Sequence, residues 1–271
     1  HALYVLHDDF LITRASTVRN AAINGIDVRN CNRARINARV FDCTQTHIFA
    51  KAKTQDISGL QIDATIDGTS LGTTQANGGI KIHGTVESIA GTTISFTAPD
   101  TISDSANGLA ILSVGQTISV QGTANNVRAF EVLTVAAGVI TTVEQTVVTE
   151  TAGASVTVVG HVYEILQPVI KATVKLTESA SMPANSVCLE TLFGVQQPQI
   201  EGVVTGGSIG CTIGGGYGGV GKVQAIGQWN IGLEIAQGAH GARYIGSSSK
   251  GGAIVKPAYN CESSGASDIS F

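Results

Sequence analysis

The sequence predicts an all-β protein, a parallel β-helix with about 22 residues per coil that carries an inserted small antiparallel β-domain. Three observations lead to this prediction. Thr, Val, Ile, Ser and Gly dominate, with 33 glycines but only 5 prolines in 271 residues, which favours strands joined by tight turns. The C-terminal part repeats at this coil length, as in a solenoid. The middle of the chain breaks that period.

Residues 1–84 are predicted to form the N-terminal part of the solenoid. Val18, Val40 and Ile62 recur at the same interval, one coil apart, while other apolar columns slip by one or two residues. Such slips fit turns of variable length between strands that the stack holds in register. Because several apolar columns recur in each coil, we expect more than one strand per coil.

Residues 85–162 are predicted to form the inserted antiparallel sandwich or barrel. Alternating segments such as TTISFTA at 92–98 follow one another, with turn signals at the short, regular spacing that is typical of such domains. Arg128 is the single Lys or Arg of this region, which sets it apart from both flanks. A solenoid tolerates such an insertion because a longer loop adds little to the entropy cost of closing it.

Residues 163–271 carry the clearest repeat. A shift by one coil aligns NSVCLE, which begins at Asn185, with GSIGCT, then WNIGLE and then GGAIVK. The alignment gives two apolar columns that we expect to point into the core, namely Val187, Ile209, Ile231 and Ala253, and Leu189, Cys211, Leu233 and Val255. Each coil can bury such a face only against its neighbours.

Charge and motif content exclude several classes of function. The net charge of −4 disfavours a general affinity for nucleic acid, and no run approaches the roughly 18 to 20 apolar residues of a membrane span. The histidines form no HxH or HExxH pair and the cysteines no CxxC pair, so we expect no metal and no cofactor. No signal peptide is recognisable. Because the chain starts with His1 rather than Met, we expect it to be part of a longer protein.

The coil repeat and the segment SVGQTISVQGTANNVRAFEVLTVAAGVITTVEQTVVTETAGASVTV at 113–158 resemble bacteriophage tailspike and tail-fibre proteins. The repeat is similar to the right-handed β-helices of the pectate-lyase-like group, and the segment is similar to a small β-domain that recurs in phage virion proteins. The resemblance implies a right-handed β-helix in a homotrimer on the virion tail, beside other tail proteins. It also implies synthesis in the host cytoplasm and binding of a bacterial surface polysaccharide, which many such proteins cleave.

A column of polar residues carries the candidate catalytic pair. In the register of the repeat Glu190, Thr212, Glu234 and Lys256 align, and their alternation with the core columns predicts that they face outward. Glu190 and Glu234 are then two coils apart, about 9.6 Å for strands ~4.8 Å apart. Inverting glycoside hydrolases hold their acid and base carboxyls roughly 6.5–9.5 Å apart. We therefore predict Glu190 and Glu234 as acid and base, with an exposed Glu234–Lys256 ion pair as the alternative.

Aromatic and basic side chains supply the candidate binding residues. Trp229 and Tyr244 lie in the best-repeated segment, where their rings can stack on a sugar or cap the core at a coil corner. Thr212 is predicted to hydrogen-bond the ligand between the two glutamates. Arg19 and Arg39 belong to an arginine-rich N-terminal stretch, with Arg29, Arg33 and Arg35, that can meet an acidic sugar, because a guanidinium binds a carboxylate through two bonds. Their alternative role is in a subunit interface or in pairs with Asp27, Asp42 and Asp63.

Three functions remain open at this point. The chain binds a surface polysaccharide, with or without glycoside hydrolase or lyase activity in the same groove. Alternatively it is a purely structural shaft segment of a virion fibre. The third interpretation is a secreted bacterial β-helix enzyme that degrades polysaccharide.

Overall fold

The computed structural model describes residues 2–6, 11–74, 78–179, 181–183, 186–214, 217–227, 231–235, 240–248, 253–255, 262–264 and 269–270. This part of the chain is all-β, apart from two short 3-10 turns at Thr69–Thr74 and Gly108–Ile111. No helix in the described ranges has the length and hydropathy of a membrane span.

Three parallel sheets contain most of the strands. Sheet A consists, in order, of Leu3–Val5, Ile26–Arg29, Thr46–Lys51, Gly78–His83, Val187–Thr191, Ile209–Ile213, Ile231–Ile235, Ala253–Val255 and Ile269–Ser270. Sheet B consists of Leu11–Arg19, Arg35–Phe41, Gln61–Asp67, Val169–Lys175, Gln199–Thr205, Val220–Ile226, Arg243–Ser248 and Glu262–Ser264. The short sheet C, between the two, consists of Ile57–Ser58, Ile165–Leu166 and Val195–Gln196. Strands of sheets A and B alternate along the chain, so each coil stacks on the coil before it.

A fourth, antiparallel sheet is formed by the part of the chain between strand Gly78–His83 of sheet A and strand Ile165–Leu166 of sheet C. Its spatial order is Ile94–Thr97, Thr101–Asp104, Val139–Thr142, Ala129–Ala136, Thr117–Gln121, Val156–Tyr163 and Thr85–Gly91. We call it the antiparallel sheet. Its first and last strands along the chain pair with each other, so the chain leaves and re-enters the parallel stack at one place.

The parallel stack continues across the antiparallel sheet. Ile36 pairs with Ile62, Ile62 with Ile170, and Ile170 with Ile200, and each of these side chains is at most 2 % exposed. Side chains alternate across a strand, so every second residue of sheet B enters the core while its neighbours face solvent. Columns of β-branched side chains therefore form one continuous core, although more than a hundred residues separate Ile62 from Ile170.

Register in sheet A follows the sequence repeat until the last described coils. Leu189 pairs with Cys211 and Cys211 with Leu233, but Leu233 then pairs with Ala253, two positions before the residue that the repeat aligns with it. Ile254, not Lys256, is therefore level with Glu234. The prediction that Lys256 completes the polar column is wrong, because the coil from Leu233 to Ala253 is two residues shorter than the repeat. Lys256 itself lies outside the described residues.

The corner where the antiparallel sheet departs is built on two glycines. A Cβ on Gly84 would come within 2.5 Å of the Gly194 Cα and within 2.6 Å of the Tyr163 carbonyl oxygen. Any larger residue at position 84 would push the coils apart, so glycine is required by contact with neighbouring backbone.

Asp104 anchors a loop of the antiparallel sheet and makes its stability sensitive to acid. The buried carboxylate accepts hydrogen bonds from Thr93 Oγ1 at 2.6 Å, Ala106 N at 3.0 Å and Gly108 N at 2.7 Å. Burial alone would raise the pKa of Asp104, but these bonds outweigh it and hold the pKa below its usual value. Because the folded-state pKa is the lower one, the carboxylate stabilises the fold above about pH 4, and this is lost as pH falls through the folded-state pKa.

We expect Asp104→Asn to lower the free energy of unfolding by about 1–3 kcal/mol at pH 7, because the buried donors lose a charged acceptor. Urea unfolding at pH 7 and pH 3 measures this, and the variant should lose less stability between these pH values than the parent. Glu201→Gln, at a side chain that is 63 % exposed, is the control. An unchanged acid dependence in Asp104→Asn would contradict the assignment.

Candidate functional site

A cleft lies where the antiparallel sheet meets sheet C. It consists of two cavities of about 560 and 320 Å³, and Glu164 and Thr117 line both. The larger cavity is lined mainly by sheet C and the turns that follow its strands: Ser58, Leu166, Gln167, Gln196, Gln197 and Tyr217. The smaller one lies between the antiparallel sheet and Asp56. This junction is the candidate site, because it combines a concave surface with polar side chains from separate elements.

The corners that precede the sheet B strands contain residues in the left-handed backbone conformation, each two positions before its strand. These are Arg33 with φ 52°, Gly59 with φ 69°, Gln167 with φ 50°, Gln197 with φ 48° and Gly218 with φ 63°. Gln167 N donates to the Gln196 carbonyl at 2.8 Å, and Gln197 N donates to the Tyr217 carbonyl at 2.7 Å. Glycine adopts this conformation readily, whereas other residues are strained by roughly 1–2 kcal/mol. The two glutamines therefore stand where glycine would relieve strain.

The side chains of Gln167 and Gln197 form an exposed amide pair at the mouth of the larger cavity. Gln167 Nε2 donates to Gln197 Oε1 at 2.9 Å. Gln167 Oε1 and Gln197 Nε2 make no hydrogen bond to any described residue, so they offer an acceptor and a donor to a ligand. The coils on either side have Gly59 and Gly218 at this corner and lack such groups.

Glu164 is fixed at the boundary of the two cavities. Its backbone N–H donates to Asp56 Oδ1 at 2.8 Å, and its carbonyl accepts from Ile57 N at 2.8 Å. Its Oε1 bonds with His161 Nδ1 at 2.9 Å and accepts from Gln196 Nε2 at 2.5 Å. Within the described residues Oε2 accepts no hydrogen bond. One carboxylate oxygen is therefore held by the protein while the other remains for a ligand.

Ser119, His161 and Glu164 are connected in the order of a hydrolase triad. Ser119 Oγ lies 3.2 Å from His161 Nε2, and His161 Nδ1 lies 2.9 Å from Glu164 Oε1. Ser119 has no exposed surface, and His161 is only 3 % exposed. A nucleophile sealed from solvent cannot attack a polymer, so this connection serves to orient Glu164.

Tyr217 and His240 hold the antiparallel sheet against the parallel stack. The Tyr217 hydroxyl donates to Glu144 Oε1, and the Tyr217 and His240 rings have centroids 4.9 Å apart. His240 Nδ1 lies 3.4 Å from the Ala129 carbonyl oxygen. Burial, together with the bond to Glu144, raises the pKa of Tyr217, so the hydroxyl keeps its proton and this contact. These contacts lie beside the larger cavity, which Tyr217 lines.

Glu190, Thr212 and Glu234 occupy one column of sheet A, in the register that the repeat predicts, but they do not line the cleft. Glu190 Oε2 pairs with Lys81 Nζ at 2.7 Å, and both side chains are nearly buried. Thr212 Oγ1 donates to Glu234 Oε2 at 3.1 Å, and Glu234 is 4 % exposed. The prediction of solvent-facing carboxylates is wrong, because side chains in neighbouring strands cover one another. Catalytic roles for Glu190 and Glu234 stay a prediction.

Arg19 and Arg39, two of the predicted binding residues, do not line the cleft. Arg19 is exposed, with its guanidinium carbon 4.5 Å from the centroid of the Phe41 ring. Arg39 lines a shallow cavity of about 400 Å³ on the outer face of sheet B. Trp229 lies outside the described residues, and for Tyr244 only the backbone is described, in strand Arg243–Ser248.

An aspartate partner for an arginine, one of the predicted alternatives, is present in sheet A. Arg29 Nε pairs with Asp27 Oδ1 at 2.9 Å, and Asp27 is fully buried. Within the described ranges no group of three or more His, Cys, Asp or Glu side chains is placed to hold a metal ion.

The chain matches no family model and no curated protein sequence. Among solved structures it is similar to the tailspike protein gp49 from Pseudomonas phage LKA1, at 11% identity and a TM-score of 0.37, over 84% of this chain and 46% of that one. It is also similar to the Pseudomonas phage phi297 tailspike gp61, at 11% identity and a TM-score of 0.33, over 83% and 50%. A third likeness is to the gp54 tailspike of Acinetobacter baumannii bacteriophage AP22 in complex with A. baumannii capsular saccharide, at 10% identity and a TM-score of 0.31, over 93% and 53%. The chain spans about half the length of each.

Proposed function

We propose that this chain is part of a phage tail protein and that it binds a bacterial surface polysaccharide in the cleft between the antiparallel sheet and sheet C. The observation that carries the proposal is the pair of strained glutamines. Gln167 and Gln197 keep amide side chains at corners where the coils on either side have glycine. Backbone strain that glycine would relieve is a feature of functional sites.

The chemistry of the cleft suits a sugar. Sugar hydroxyls donate and accept hydrogen bonds, and the amide pair and Glu164 Oε2 supply both kinds of partner. The larger cavity, about 560 Å³, lies within the range of small-ligand sites. Tyr217 adds a ring at one end of the same cavity.

We further propose the architecture implied by the resemblance, a right-handed parallel β-helix with residues 85–162 as an inserted domain, assembled as a homotrimer beside other tail proteins. The pairing of Ile62 with Ile170 supports the insertion. Sedimentation equilibrium tests the trimer, and a stable monomer at micromolar concentration would contradict it.

Binding to a panel of purified capsular polysaccharides and lipopolysaccharides tests the function. We expect saturable binding to at least one polymer, and Glu164→Gln should weaken it about fivefold or more, because one charged hydrogen bond to a hydroxyl is lost. Glu201→Gln on the outer face of sheet B is the matched control and should bind like the parent. Failure to bind any polymer, or equal binding by Glu164→Gln, would contradict the proposal.

Cleavage of the bound polysaccharide, with Glu190 and Glu234 as acid and base, stays a prediction. Release of reducing ends or of unsaturated uronate from a bound polymer detects it. If no bound polymer yields product, the chain is a binding protein only. If the chain binds no polymer, a structural shaft segment of a virion fibre is the better interpretation.

A further inference from the structure

The lining of the cleft also indicates which polysaccharides it accepts. Resting on the proposed function, we infer that the cleft selects an uncharged glycan with N-acetylated amino sugars and disfavours glycans that carry carboxylates. Charge, an exposed apolar wall and the position of the basic residues lead to this inference.

The charge of the cleft is negative. Asp56, Glu87 and Glu164 line the smaller cavity, and Glu164 also lines the larger one. No Lys or Arg lines either cavity in the part of the chain that the structure describes. Arg128, the one Lys or Arg of residues 85–163, is 5 % exposed and donates to the Asn125 carbonyl. A uronate or sialate carboxylate would therefore enter a site with like charges and without a Lys or Arg to pair with.

One wall of the smaller cavity is apolar and open. Ile111 and Val114 are 57 % and 67 % exposed, and both line this cavity together with Asp56 and Glu164. An acetamido group matches this arrangement, because its methyl can contact the two aliphatic side chains while its N–H donates to a carboxylate. A glycan of plain hydroxylated sugars offers no acetamido methyl to these two side chains.

The basic residues of the solenoid lie on another surface. Arg39 lines one shallow cavity on the outer face of sheet B, and Lys171 and Lys222 line another. The expectation from sequence that arginines meet an acidic sugar therefore concerns sheet B, not the cleft. A Lys or Arg partner for an acidic sugar is therefore described on sheet B and not in the cleft.

The test uses the same chain and polysaccharides of known composition in two groups, uncharged polymers with N-acetylated sugars and polymers rich in uronate. We expect the uncharged group to bind at least tenfold more tightly at about 0.15 M salt. Equal or tighter binding of uronate-rich polymers in the cleft overturns the inference alone. Binding of neither group overturns the proposed function as well.

Two variants test the parts of the inference separately. Glu87→Lys, at an exposed side chain, should raise affinity for uronate-rich polymers at least tenfold, and the gain should disappear at about 1 M salt, where charges are screened within ~3 Å. Val114→Ser should weaken binding of the N-acetylated polymer about fivefold and leave the thermal midpoint unchanged. Leu133→Ser, 51 % exposed and outside both cavities, is its control. No gain for Glu87→Lys, or no loss for Val114→Ser, contradicts the inference.

Discussion

Replacement of both Gln167 and Gln197 by glycine is expected to weaken polysaccharide binding at least tenfold while the free energy of unfolding stays equal or rises by about 1 kcal/mol. Binding falls because two amides leave the cavity, and each hydrogen bond contributes roughly 0.5–1.5 kcal/mol. Stability is kept because glycine relieves about 1–2 kcal/mol of strain per corner, offset by its larger entropy when unfolded. Titration with a bound polymer and urea unfolding measure the two effects.

Alanine at the same two positions separates strain from chemistry. It removes the amides but keeps the strain, so Gln167→Ala with Gln197→Ala should bind as weakly as the glycine variant without any gain in stability. Arg33→Gly is the positional control, since Arg33 has φ 52° at the equivalent corner but lies outside both cavities. If the glycine variant binds like the parent, the amide pair is not part of the site.

Lys81→Met is expected to lower the free energy of unfolding by about 3 kcal/mol, because it leaves a nearly buried carboxylate without its cation. The Lys81 and Glu190 side chains are 12% and 11% exposed, so solvent cannot replace the 2.7 Å contact. Urea unfolding at pH 7 measures the loss. The double variant Lys81→Met with Glu190→Gln should recover more than half of it, because the unpaired charge is then removed.

Losses that simply add in the double variant would contradict a structural ion pair. That result would indicate that Glu190 has a functional role independent of Lys81. Glu190→Gln alone should leave binding in the cleft unchanged, since Glu190 lines neither cavity.

The sequence predicts much of the parallel core, because apolar residues that alternate along a strand and recur once per coil stack on one another. The repeat correctly pairs Leu189 with Cys211 and Thr212 with Glu234. The repeat wrongly places Lys256 in the polar column, because a repeat does not reveal which coil is two residues shorter. It also fails on exposure, since Glu234 is covered although its position alternates with the core.

The cleft could not be predicted from periodicity, because its residues lie in turns and in the chain that re-enters the stack. Gln167 and Gln197 are distinguished by backbone conformation, which the repeat does not specify. One signal was present, the recurrence of Gln-Pro at 167–168 and 197–198 with Ile170 and Ile200 two residues later. Glu164 has no sequence signal, since its role arises from the contact with Asp56 across more than a hundred residues.

A crystal structure of the chain with an oligosaccharide from a bound polymer shows where the glycan binds. We expect a sugar between Gln167, Gln197 and Glu164, with a hydroxyl or amide group about 3 Å from Glu164 Oε2. A sugar seated on the outer face of sheet B, with the cleft unoccupied, would contradict this expectation.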